Sequence, residues 1–230
     1  MDQFLNKMRT VLSIGKARVI TNSSKGELYS GIWKIPVSEK TYLDFQGFLG
    51  DESADKLNHR TLEKAVCGFS CKHHSLLKEE LKRELNAGDF GENLSISDFD
   101  ENKAHLGDVF KIGEAEIQIT QPRPPCNKLD FKFEKISVVA LFNKLNLGGC
   151  YFRVIKPGWV KPVSYMSLKA FGDEHISLYE AANIFNSPTK YEKRIKQIEE
   201  LSFVSNSWKE LLINKYHLMK IRDKHVLSGR

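Results

Sequence analysis

The sequence has no apolar run approaching the ~20 residues needed to span a bilayer. Its opening stretch, MDQFLNKMRTVLSIGK, lacks both a long apolar core and a small-residue cleavage site, so no signal peptide is read. The expected location is the cytoplasm, with no membrane partner. Cysteine is sparse, limited to Cys67, Cys71, Cys126 and Cys150. In a chain of 230 residues without a leader, four cysteines point to reduced thiols rather than a disulfide framework. C-x2-C spacing is absent, and so is G-x-G-x-x-G; the chain therefore carries no iron–sulfur or dinucleotide signature. Charge of one sign is also in short supply. Thirty-five basic and 29 acidic side chains leave a net +6, enough to welcome an anionic ligand. No aromatic–basic recognition motif accompanies it, so no specific nucleic-acid partner is expected.

Proline is scarce as well, with seven in all, yet three fall within four positions at Pro122, Pro124 and Pro125. The stretch QITQPRPPCNKLD, Gln118 to Asp130, is therefore stiff and non-helical at its centre, because proline fixes φ and removes a backbone donor. It presents Cys126 between Arg123 and Lys128. A thiol acts as nucleophile or metal ligand only as thiolate, and neighbouring cations favour that form. The alternative for such a cysteine is a small buried hydrophobe. Lys34, His59, Arg60, Lys64 and Arg123 are further cations that would suit an anion, since arginine forks match phosphate oxygens and lysine supplies a point charge. Cys67, Cys71, His73 and His74 have only loose metal-ligand spacing, with no second ligand pair following. The D-F-G at Asp89 to Gly91 lacks the other kinase signatures and is read as a turn leading Glu92 and Asn93 into a strand.

The first two-thirds reads as mainly β. Segments at Arg9–Gly15, Lys16–Thr21, Tyr29–Val37 and Tyr42–Gly50 are short, rich in β-branched or aromatic residues, and separated by Gly, Ser and Asn. His105–Gln121 reads as two strands about Gly113, and Tyr151–Val160 as a strand followed by a Pro-Gly turn. Ile136–Phe142 fits strand or helix. One inserted helix is predicted from Leu77, Leu81 and Leu85 at fourfold spacing, with Gly88 as its stop. Many short strands favour a barrel or sandwich. After about Gly172 the pattern turns helical. Ser177 with Glu180, and Ser207 with Glu210, fit capping boxes, and Pro188 suits a first helical turn. Tyr191, Ile195, Ile198 and Leu201 form one apolar stripe; Trp208, Leu211, Leu212 and Tyr216 form another. The expected organisation is a β-barrel domain over 1–172 and a small three-helix domain over 173–230.

Taken in order, SGIWKIPV, GFLGDESAD, NHRTLEKAV, FGENLSI, LGDVFKIGEAEIQITQPRPPCNKL and YFRVIKPGWV resemble the MOSC domain family, in particular its YiiM-type members. The likeness extends over nearly the whole chain, through SNSWKELL in the helical region. The run of G-E-N-L, G-D-x-F-x-I-G and Q-P-R-x-P-C in that order is the specific part.

The resemblance implies a MOSC β-barrel followed by three helices, and a molybdenum cofactor (molybdopterin). It implies Cys126 as the molybdenum ligand, a soft thiolate suited to a metal that also binds dithiolene sulfurs. Lys34, His59, Arg60 and Arg123 become residues for the cofactor's phosphate or pterin, and Asn93 and Gln121 hydrogen-bonding residues on the barrel rim. His59 is a candidate proton donor, its unperturbed pKa lying near neutrality; the alternative is a structural histidine that holds the loop. His59, Arg60 and Thr61 stand where relatives usually have H-G-G or a similar glycine pair. The implied activity is reduction of small N-hydroxylated compounds, such as 6-hydroxylaminopurine, to amines. Electrons would come from a separate reductase, and a homodimer is expected. The alternative is a non-catalytic carrier of the cofactor, or of sulfur on Cys126.

Overall fold

The computed structural model describes residues 7–22, 25–54, 61–134, 136–172 and 175–228. Its strands are β1 (Met8–Ile14), β2 (Arg18–Asn22), β3 (Gly26–Ser30), β4 (Ile35–Pro36), β5 (Thr41–Asp44), β6 (Gly47–Phe48), β7 (Val66–Ser70) and β8 (Leu94–Ile96). They continue with β9 (Val109–Ile112), β10 (Ala115–Pro122), β11 (Cys150–Lys156), β12 (Gly158–Val160) and β13 (Val163–Ala170). Seven of them close a barrel in the order β13-β9-β10-β11-β7-β8-β1, with β1 pairing back onto β13. Closure removes free edges.

All the barrel pairings are antiparallel except β7 with β8. A parallel pair needs a crossover of a dozen or more residues, usually helical. The segment between Ser70 and Leu94 is that crossover, and it contains α1 (His74–Leu81). This is the inserted helix expected from the leucine spacing, but it ends earlier than Gly88. Lys82 takes a left-handed conformation at φ 49 and stops it after Leu81. Between β10 and β11 come α2 (Asn127–Phe133) and α3 (Val138–Leu145), which settles Ile136–Phe142 as mostly helix. The segment Tyr29–Val37 is broken at Gly31, so that residues 32–34 run irregularly before β4. At Gly113 the β9–β10 turn has φ 58, and a Cβ there would meet the Trp159 carbonyl at 2.5 Å, so only glycine fits.

The C-terminal region is α4 (Leu178–Asn186), α5 (Glu192–Glu200) and α6 (Asn206–Ser228). Ser177 caps α4 by accepting from the Glu180 N–H. For α6 the corresponding bond is made by Ser205, which accepts from the Trp208 N–H, rather than by Ser207. Ile195, Ile198, Leu201, Trp208, Leu212 and Tyr216 are buried, whereas Leu211 is exposed. These buried side chains belong to the same apolar cluster as the barrel interior, with Phe110, Ile117, Ile119 and Phe152. A second cluster joins Phe69 and Phe90 to α1, α2 and α3 on the outside of the barrel. Its rings stack closely, Phe90 on Phe133 at 5.4 Å and Phe69 on Phe142 at 5.6 Å.

Candidate functional site

Strand periodicity places the site. Along β7, Val66 packs into the barrel core and Phe69 into the outer cluster, so Cys67, two residues from Phe69, also faces outward. Its antiparallel partner Tyr151 faces the same way. Both line a half-open recess of about 110 Å³. The segment after β10 brings Arg123, Cys126 and Lys128 to it, and the irregular stretch before β4 brings Lys34. Asn93 enters from just before β8, and Asp51 from the loop after β6. The recess therefore sits on the outer wall of the β7–β11 pair. Gly31 lets that wall close up, since a Cβ there would lie 2.0 Å from the Glu52 carbonyl oxygen.

Arg123 is the best-defined group. It is buried; one guanidinium nitrogen, Nη2, donates to the Phe90 carbonyl at 2.6 Å. The other, Nη1, is buried with no hydrogen-bond partner among the described residues. Burial works against the Arg123 charge, but the neighbouring Cys67, Tyr151, Glu92 and Cys126 outweigh it and hold the group protonated. A buried polar group without a partner is rare and marks a place where something else bonds. Glu92, fully buried nearby, is already satisfied by the Gly88 and Phe90 N–H groups and the Ser95 hydroxyl.

The remaining thiols are poorly suited to ligation. Burial pushes Cys67 up, although Arg123 pulls against it, and pushes Cys150 well up. Cys71 is pushed up to about 11, again chiefly by burial. Among the described residues no group of three or more His, Cys, Asp or Glu side chains could hold a metal by itself. His73 pairs with Glu101 at 3.1 Å, and His74 stacks on Phe69, so the Cys67–His74 segment serves packing.

Lys34, Asn93, Arg123 and Cys126 thus line one recess. Two of the four are committed within the protein. Lys34 is paired with Asp51, and Asn93 donates to Asp51 Oδ2 at 2.9 Å while accepting from the Cys67 N–H. Asn93 lines the recess as expected of a rim residue, and its side chain also ties β7, β1 and the Asp51 loop together. Gln121 is not brought to the recess. It is buried, and its Oε1 accepts from the Ser205 hydroxyl, joining barrel to helices. His59 and Arg60 lie outside the described residues. Asp51 and Tyr151 are absent from the sequence expectation, where Cys67 figures only in a loosely spaced metal-ligand cluster. The first lies in GFLGDESAD, but nothing in its spacing marks it as the partner of Lys34.

The donor set suits a molybdenum cofactor: a soft sulfur on a proline-stiffened loop, a buried charged fork with an unused N–H, and the Lys128 ammonium for a phosphate. The fold and this recess together define a MOSC-type barrel. The MOSC domain model matches residues 55–163. The chain is 34% identical over 204 residues to the YflK protein of Bacillus subtilis (strain 168), covering 89% of this chain and 92% of that one. It is 30% identical over 197 residues to the YiiM protein of Escherichia coli (strain K12), covering 84% and 88%. A protein called reductase from Gibberella moniliformis is 27% identical over 156 residues, which is 66% of this chain and 28% of that protein. The crystal structure of YiiM from Geobacillus stearothermophilus superposes with a TM-score of 0.73 at 27% identity, covering 90% of this chain and 99% of that one. The chain belongs to the MOSC domain family, a family of molybdenum-cofactor-binding domains. Within it the chain is of the YiiM type.

Proposed function

We propose that this protein holds a molybdenum cofactor at the β7–β11 recess and reduces small N-hydroxylated compounds to amines. The observation that carries the reading is the convergence of Cys126, Arg123 and Lys128 on one recess. The reductase-named relative supports an oxidoreductase. When bound, the cofactor supplies the two-electron redox chemistry. Cys126 would ligate the metal. Arg123 would donate its free N–H to an anionic oxygen of the group, and Lys128 would add positive charge at the open side. Asp51 neutralises Lys34 and, with Asn93, keeps the wall rigid, as a ligand site requires. Each N–OH reduced to an amine takes up two electrons and two protons and releases one water. The electrons come from a separate reductase.

The test is turnover of 6-hydroxylaminopurine with reduced benzyl viologen, using protein purified from cells that make the cofactor. Wild type should turn over, and Cys126→Ala should lose activity by at least ~100-fold, the upper end of the cost of losing a group that sets metal affinity. Loaded wild type that is inert toward every N-hydroxy substrate would make the protein a carrier instead.

A further inference from the structure

Among the described residues, none that lines the recess comes from the C-terminal helices, yet those helices hold one of its walls. Lys64, half-buried at the end of the short turn Leu62–Lys64, lines the recess. The turn is fixed from the barrel side, where the Thr120 hydroxyl donates to the Glu63 carbonyl at 2.7 Å. The Lys64 ammonium is fixed from the helix side, where Nζ donates to the Ser207 hydroxyl at 2.9 Å, across 143 residues of chain. Lysine has a flexible four-carbon stem, and ordering it costs rotamer freedom. Held at both ends, Lys64 is ordered before any ligand arrives.

Ser207 sits on a rigid turn. Its neighbour Trp208 is 1% exposed and lies nearly parallel to Phe185, 5.8 Å away. Ser205 accepts from the Trp208 N–H and donates to Gln121 Oε1, which ties the first turn of α6 to the end of β10. With Ser205 serving as the cap, the Ser207 hydroxyl is left to accept from Lys64. The end of β10 runs on into the segment that carries Arg123 and Cys126. One helical turn is therefore bonded to both sides of the recess, through Lys64 and through Gln121.

We infer that Ser207 is a positioning residue for the recess: it holds the Lys64 ammonium at the recess wall, for the anionic group of the cofactor. The inference rests on the proposed cofactor reading. It adds the C-terminal helices to the site, through a side chain that does not itself line it.

The test is a double-mutant cycle on pterin retention during gel filtration, using the full chain purified from cells that make the cofactor. Lys64→Met keeps the stem and removes the charge; it should lower retention ~10-fold, as loss of a bond to a charged group does. Ser207→Ala should lower retention ~3-fold, within the range for one hydrogen bond. Ser207→Thr keeps the hydroxyl and should restore it. Because Ser207 acts through Lys64, the double variant should retain as much pterin as Lys64→Met alone. Additive losses would give Ser207 a separate role in the fold and overturn the inference. So would wild-type retention in either Lys64→Met or Ser207→Ala, or a Ser207→Ala loss that Ser207→Thr does not repair. Those outcomes leave the cofactor reading standing, whereas wild type that carries no pterin removes both.

Discussion

Arg123 illustrates how one residue serves the fold and the site at once. Its backbone N–H bonds the Gly149 carbonyl and its Nη2 bonds the Phe90 carbonyl, so the side chain is fixed before any ligand arrives. A hydrogen bond to a charged group contributes about 1.5–3 kcal/mol, which corresponds to tenfold or more in affinity. Arg123→Met should therefore cut pterin retention at least ~10-fold during gel filtration, while Arg123→Lys restores charge without the fork and falls between. Full retention in the Met variant would remove the anion-binding role. His74 makes a different prediction. Burial against Phe69 and Phe90 holds its imidazole below the usual value, Glu92 and Asp89 pull it upward, and His73 reinforces the depression. A depressed folded-state pKa means stability that is present above the unfolded imidazole value and is lost as pH falls through the window below it. The urea midpoint should fall as pH drops below about 6.5. His74→Phe, which keeps the stack, should flatten that slope; an unchanged slope would place the acid sensitivity elsewhere.

Individual elements depend on caps and exits that the sequence marks unevenly. Ser177 is marked clearly, with Glu180 three residues on, and the bond is present at 3.0 Å. Ser177→Ala should cost about 0.5–2 kcal/mol, read as a lowered denaturation midpoint. No change would mean that α4 is held by its packing alone. The end of α1 is not legible, because its left-handed residue is Lys82 rather than the glycine that such positions favour. The cap of α6 is misread for a related reason. Ser205 and Ser207 are two residues apart, and which one faces the first turn depends on Gln121 and Lys64. The Ser205 hydroxyl bonds Gln121, and the Ser207 hydroxyl accepts from Lys64 Nζ. The same contact explains why Gln121 leaves the site: its position in the motif is visible in the sequence, its partner is 84 residues away. The strands about Gly113 and the proline-stiffened loop are legible because glycine and proline act through their own backbones.

Across the whole molecule, the barrel, its inserted helix and the three C-terminal helices follow from ordered motifs and from the change of periodicity near Gly172. The location of the recess does not. It depends on β7 being buried on both faces, with Val66 inward and Cys67 and Phe69 outward, and an unbroken run of buried residues carries no alternation to read. Asp51 and Tyr151 join Cys126 only through barrel closure and the β7–β11 register. No helix among the described residues is long and apolar enough to cross a membrane. Three cysteines are pushed away from ligation by burial, and the fourth stands on the stiffened loop beside a buried guanidinium with an unused N–H. The measurement that bears most directly on this arrangement is molybdenum and pterin content per chain, for wild type and Cys126→Ala purified from cells that make the cofactor. The account predicts close to one of each per wild-type chain and at least ~10-fold less molybdenum in the variant. Equal molybdenum in the two proteins would contradict it.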